Sequence, residues 1–176
     1  MEITKGVSII VCCYNSSLRL PKTIKHIALQ QVRKDIPWEL IIIDNNSTDG
    51  TSDSALIEIE QYDILSDKFR IIKEKQAGLS HARKTGVFNS KYEYLIFCDD
   101  DNWLDENYIF TSYYKMLTSN DLGAIGGLGT ATFEIPEPDW FKKYQTYYAV
   151  GPQTNGNPPN DLNEVYGAGM VVRRSE

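Results

Sequence analysis

Four short apolar runs punctuate the first two thirds of the chain: Val7–Cys13, Trp38–Ile43, Phe69–Lys73 and Tyr94–Cys98. Continuous runs of this length, rich in β-branched residues, read as strands covered on both faces, the pattern of a parallel sheet. The segments between them change to a helical period. Leu20, Ile24, Ile27 and Gln31 recur every three to four residues and predict a helix over Leu20–Gln31, with Pro21 in its first turn. A second helix is predicted from Ser52 to Gln61, turning Ala55, Leu56 and Ile59 inward. A third covers Leu79–Asn89, with Ser80 as its cap and Ala82, Val87 and Phe88 packed. A fourth runs from a capping Asp105 to Thr118, with Ile109, Tyr113, Met116 and Leu117 on one face. Strand followed by helix, repeated four times, argues for a mostly parallel sheet with right-handed crossovers.

Beyond Thr118 the rhythm is lost. Ala124–Phe133 is glycine-rich and is assigned to a strand; Pro136–Tyr148 carries Trp140, Phe141, Tyr144, Tyr147 and Tyr148 and is assigned to a short helix and a loop. Those aromatics, with Trp103, are expected in the core, the alternative being an acceptor groove. Gly151–Asn163 combines proline, glycine and asparagine and reads as a loop, after which Tyr166–Arg173 is a last strand. No internal repeat or linker divides residues 1–176, which are read as one domain.

Composition narrows the function classes. A net charge of -6 disfavours nucleic acid, whose binding rests on basic patches. No apolar run approaches the roughly 18 residues needed to span a bilayer, and Met1–Gly6 is too polar to begin a signal peptide. Cys12, Cys13 and Cys98 have neither the spacing of a zinc site nor that of a disulfide framework. They are expected to be reduced and buried, and the chain cytoplasmic.

The chemistry-bearing residues gather where strands are expected to end. Ligands of open α/β sheets bind beyond the carboxyl ends of the strands. Tyr14-Asn15-Ser16-Ser17 follows the first run, Asp44-Asn45-Asn46 the second, and Asp99-Asp100-Asp101 the fourth, while Arg83 falls in the first turn of the third helix. Three adjacent carboxylates are either a solvated acidic turn or a seat for a hard cation that takes oxygen ligands. No glycine-rich loop joins the first strand to its helix, so a phosphate-bearing ligand would have to be held by other means.

In this order and spacing the segments Ser8-Ile-Ile-Val-Cys-Cys-Tyr-Asn, Ile41-Ile-Ile-Asp-Asn-Asn-Ser-Thr-Asp-Gly-Thr, Ala77-Gly-Leu-Ser-His-Ala-Arg-Lys-Thr-Gly, Phe97-Cys-Asp-Asp-Asp-Asn and Gly167-Ala-Gly-Met-Val-Val-Arg-Arg resemble the nucleotide-sugar-dependent glycosyltransferases of family 2. The resemblance covers almost the whole chain. It implies the GT-A fold, a three-layer α/β/α, Rossmann-like architecture, and an inverting transfer from a nucleotide-diphosphate sugar, a UDP-sugar, to a glycan or lipid-linked acceptor. Peripheral attachment at the inner face of the membrane would go with such an acceptor. By the same resemblance Tyr14 stacks on the base, or else is a core tyrosine. Asp44 accepts a ring N–H, or else caps its turn, and Arg83 sits near base and acidic cluster, or else on a helix surface. Asn15 and Asn46 complete the donor rim. Asp99 and Asp101 hold Mg²⁺ or Mn²⁺, with Asp101 the direct ligand and Asp100 facing the ribose.

Three departures from the family pattern stand out. Asn45 replaces a frequent aspartate, and Cys12 occupies a position that is often small and polar or proline. His26 is read as a surface residue, and His81 as surface or phosphate-proximal rather than catalytic. The acidic general base that inverting relatives carry after the glycine-rich strand is not assignable here. Glu176 is too close to that strand, so the base is expected beyond it and the domain is read as cut short at its C-terminal end; Asp161 and Glu164 are the fallback candidates. Two rival readings remain: a degenerate domain that binds sugar nucleotide without turnover, and a sugar-phosphate nucleotidyltransferase, which would want a basic glycine-rich loop after the first strand.

Overall fold

The computed structural model describes residues 4–153 and 165–174. Its centre is a six-stranded sheet in the order β3-β2-β1-β4-β6-β5. The strands are β1 (Thr4–Cys13), β2 (Trp38–Asp44), β3 (Phe69–Lys73), β4 (Tyr92–Asp99), β5 (Ala124–Ile125) and β6 (Met170–Arg173). The first four are mutually parallel, whereas β6 runs antiparallel to β4 and to β5.

Alternation explains why the runs are apolar throughout. On β1, Val7, Ile9, Val11 and Cys13 face one core while Ile10 faces the other; β2 and β4 divide in the same way. The first core is closed by α1 (Leu20–Ala28), α2 (Thr51–Ile59) and α4 (Tyr108–Thr118), the second by α3 (Leu79–Asn89). The architecture is therefore the expected three-layer α/β/α sandwich. A Cβ on Gly86 would collide with the γ2 methyl of Ile10, so the absence of a side chain there lets α3 lie close on the sheet.

Several boundaries moved, each for a local reason. α1 stops at Ala28 rather than Gln31 because Gln30 turns inward as a clamp. Its Nε2 donates to the Asp105 carbonyl (2.6 Å), and its Oε1 accepts the Ile109 N–H (3.0 Å). That second bond caps α4, which begins at Tyr108; Asp105, expected to be the cap, instead receives the Asn107 N–H of the preceding turn. Leu56 and Phe88 point outward, since Ala55 and Ile59 of α2 and Ala82 of α3 already fill the inward positions. The glycine-rich Ala124–Phe133 segment contributes a strand only at Ala124–Ile125, with a single further bridge from Gly129 to Gly151 among the described residues, and the last strand starts at Met170 because Gly169 (φ +72°) turns the chain just before it.

Trp103, Trp140, Tyr144, Tyr147 and Tyr148, expected in the core, are exposed. The helix Phe141–Tyr144, α5, is too short for more than one inward position. Phe141 takes it, edge-on to Phe133. Among the described residues no helix is long and apolar enough to cross a membrane. Cys12, Cys13 and Cys98 are free thiols, and burial pushes each far above the usual range, that of Cys12 to about 12, which leaves them unreactive.

Candidate functional site

Parallel pairing sets the site. Cys13 pairs with Asp44 and Cys12 with Asp99, so the carboxyl ends of β2, β1 and β4 finish level and deliver Tyr14, Asp44 and Asp99 to one rim. The N-terminal half of α3 brings Arg83 to the same rim, with a guanidinium nitrogen 3.9 Å from Asp99 Oδ1 and the group over the Phe97 ring. All the sequence-predicted residues thus lie along one edge of the sheet, on different elements.

On the β1–β2 side, two turns hold each other. Asn15 (φ 49°) donates its N–H to Ser47 Oγ and accepts the Thr48 N–H on Oδ1 (2.9 Å). Tyr14 is left 58% exposed, with its ring available as a platform. Asn46, also in the left-handed region at φ 65°, makes the bend that exposes its own side chain. Asp44 is buried and accepts from the Ser47 N–H (2.9 Å) and the Ser52 hydroxyl. Burial opposes its ionisation, but these bonds outweigh it and hold the carboxyl below the usual carboxylate range. Each oxygen keeps a further acceptor direction.

Asp49 is likewise held low, at about 2, by the Thr51 hydroxyl and the Ser17 and Thr51 amides, and Glu74 by Thr85 and the Gln76 amide. Depressed carboxyl values stabilise the fold above the unfolded value of about 4 and lose that contribution as pH falls through the folded one. The thermal midpoint is therefore expected to hold from neutrality down to about pH 4–5 and then drop as these turns protonate; a midpoint unchanged down to pH 3 would show that the turns contribute little.

Asn45, noted in the sequence only as a departure, is the clamp of the rim. Its side chain donates to the Gln76 (2.7 Å) and Glu74 (3.2 Å) carbonyls and accepts the Gly78 N–H (2.7 Å), while its own N–H reaches the Cys13 carbonyl. One residue thereby fixes the approach to α3 and hence Arg83. An aspartate cannot supply the two donors, so Asn45→Asp is expected to cost about 1–3 kcal/mol, read as a lowered chemical-denaturation midpoint with an unchanged slope.

The acidic triplet separates into three environments. Asp100 is engaged on both oxygens by Arg19, bidentate at 2.9 and 3.4 Å, and by the Ser16 hydroxyl; its carbonyl also accepts from Thr23. A carboxylate so committed braces the turn after β1 against the turn after β4. Arg19 and Ser16 were not singled out in the sequence; the signal available was a cation and a hydroxyl inside a turn that must meet three carboxylates. Asp99 is part-exposed, and its carboxyl is raised, first by burial and then by Asp101 and Asp100, with Arg83 opposing. Asp101 is exposed and has no ion-pair partner among the described residues. A hard divalent cation fits this pair: oxygen donors, partial exposure, and an Asp101 charge that no protein cation offsets among the described residues. No three His, Cys, Asp or Glu side chains among the described residues form a complete cage. Mg²⁺ and Mn²⁺ on diphosphates typically need only one or two carboxylates, the phosphates supplying the rest.

The glycine-rich segment closes the far side. Gly169 donates its N–H to the Phe97 carbonyl and accepts the Tyr108 hydroxyl, and a Cβ on Gly167 would sit 2.9 Å from the Arg83 guanidinium. Asp161, Glu164 and Glu176 lie outside the described residues. His26, read as a surface residue, is half-buried in a parallel stack on Trp103; His81 is half-buried in the first turn of α3.

Comparison with known proteins agrees with this geometry. The chain is 35% identical over 119 residues to the poly(ribitol-phosphate) β-N-acetylglucosaminyltransferase TarP of Staphylococcus aureus, covering 67% of this chain and 35% of that protein. It superposes on the structure of S. aureus TarS in complex with UDP with a TM-score of 0.63 at 16% identity, covering 76% of this chain and 38% of that one. A mannosyltransferase from Pyrobaculum calidifontis, in complex with GDP-Man and Mn²⁺, gives 0.64 at 23% identity, over 72% of this chain and 36% of that one. The chain spans little more than a third of each of these proteins. The family model described as glycosyl transferase family 2 matches residues 8–175, and the chain belongs to that family.

Proposed function

We propose that this domain binds a nucleoside-diphosphate sugar, a UDP-sugar, together with Mg²⁺ or Mn²⁺, and that the enzyme it belongs to transfers the sugar with inversion to a glycan or lipid-linked acceptor. The observation that carries the reading is the level alignment of Tyr14, Asp44 and Asp99 at the ends of neighbouring parallel strands, with Arg83 beside Asp99. An exposed aromatic next to a buried, ionised acceptor suits a flat heterocycle: Tyr14 offers the face, and Asp44 a lone pair for a ring N–H. Asn15 and Asn46 shape that pocket. Arg83 lies where a phosphate would meet it. Asp101 and Asp99 would hold the cation, which when bound neutralises the diphosphate leaving group. Asp100 acts by keeping the two turns in register. Support also comes from the relatives: TarP is named for a sugar transfer, and the superposed structures hold UDP or GDP-Man. The Cys13-Tyr14-Asn15-Ser16 turn offers no glycine-rich basic loop for a nucleotidyltransferase. A cytoplasmic enzyme working at the inner membrane face would meet both substrates.

Titration calorimetry of the chain with UDP, GDP, CDP and ADP, each in Mn²⁺ and in chelator, tests the reading. Preferential, Mn²⁺-dependent UDP binding is expected. Equal affinity for all four would remove base reading from Tyr14 and Asp44.

A further inference from the structure

A cleft of about 960 Å³ opens beside the acidic triplet, between the start of α1, the turn after β4 and the 127–134 segment. Trp103 forms part of its wall, 39% exposed. Its indole is backed by the His26 imidazole in a parallel stack (5.3 Å between centroids, 4° between planes), and the Lys22 ammonium lies 5.4 Å from the ring centre. A tryptophan supported in this way is a rigid surface with little side-chain entropy left to lose.

Charge decides what could lie on it. Arg19 is already paired with Asp100, and Lys22 stands 3.9 Å from Glu134. Asp101, Asp105 and Glu106 line the same cleft without ion-pair partners among the described residues. Asp101 is committed to the cation in the reading above. The remaining uncompensated charge is negative, which repels a phosphate-bearing ligand. It suits one whose hydroxyls donate to carboxylates. A pyranose meets both demands, setting its apolar C–H face on the indole and its hydroxyls toward the acidic wall.

We propose that this cleft is the acceptor subsite, that the acceptor is a neutral glycan, and that one of its sugar rings stacks on Trp103. The proposal rests on the donor-site reading, since it is the nearness of Asp101 that puts an acceptor hydroxyl beside the donor.

Saturation-transfer NMR on the 176-residue chain tests it, using the methyl β-glycosides of glucose, galactose and N-acetylglucosamine as neutral probes and glycerol 3-phosphate and ribitol 5-phosphate as anionic ones. At least one glycoside is expected to receive saturation through its ring protons. Its affinity should fall about five- to tenfold in Trp103→Ala, the scale of one stacking contact, and recover most of that loss in Trp103→Phe. Trp103→Leu, which keeps apolar bulk without an aromatic face, should behave like the alanine variant and serves if that variant is unstable. Equal saturation in Trp103→Leu and the parent would overturn the proposal, as would stronger binding of the phosphate probes. UDP titration of the parent separates the two readings. Glycoside binding without UDP binding would sink the donor site alone, and UDP binding with no glycoside signal would sink the acceptor cleft alone.

Discussion

Asp101→Asn is expected to remove most of the Mn²⁺ dependence of UDP binding. The substitution keeps shape and hydrogen-bonding length but deletes the charge of the one triplet member that no protein cation offsets among the described residues. Losing an outer partner of a metal site typically costs about 10–100-fold in metal affinity, so losing a direct ligand should cost at least that. Affinity measured in chelator should be nearly unchanged, because Tyr14, Asp44 and Arg83 are untouched. Asp100→Asn should behave differently. It loosens Arg19 and Ser16 and so lowers thermal stability, while leaving the ratio of affinities with and without Mn²⁺ close to that of the parent. If Asp101→Asn keeps the full metal dependence, Asp99 is the ligand that matters.

Tyr14→Ala should weaken UDP binding by roughly 1–3 kcal/mol, the range for a base stacked on an aromatic ring. Its ring is exposed and its hydroxyl has no hydrogen-bond partner among the described residues, so the loss should appear without a fall in stability. Tyr14→Phe keeps the face and should bind like the parent. Calorimetry on the pair separates stacking from a contribution of the hydroxyl; equal losses in both variants would assign the effect to the hydroxyl, and no loss in either would place the base elsewhere.

The sheet was legible in the sequence because each buried strand announces itself twice, by an apolar run and by the polar turn that ends it. Phe69–Lys73 and Leu79–Asn89 matched to the residue for this reason. What stayed hidden were contacts between distant turns. Nothing near Gln30 signals that its amide caps a helix that starts at Tyr108, and Asn45 gives no local hint that it holds the loop before Gly78. The same limit applies at the site. The residues belonging to the strand ends could be named, yet the commitment of Asp100 to Arg19 and Ser16 depends on a turn-to-turn distance that spacing does not encode. Trp103, Trp140, Tyr144, Tyr147 and Tyr148 lie outside the core, where size alone suggested burial; the four-residue helix has room for one inward ring, that of Phe141.

The place of β6 in the sheet bears on how the protein is made. β4 is the third strand from one edge, and among the described residues its outer side is covered by residues 170–173, which are synthesised well after β4 itself. During synthesis β1 to β4 and their helices can assemble while that side of β4 still shows a row of open amides and carbonyls beneath an apolar surface. An open edge of this kind invites pairing with another nascent chain. Arg173, buried and bonded to Glu93 and to the Met116 carbonyl, makes the late docking hard to reverse once it occurs. Variants that delay it, such as Arg173→Ala, should aggregate during expression more than their loss of equilibrium stability accounts for.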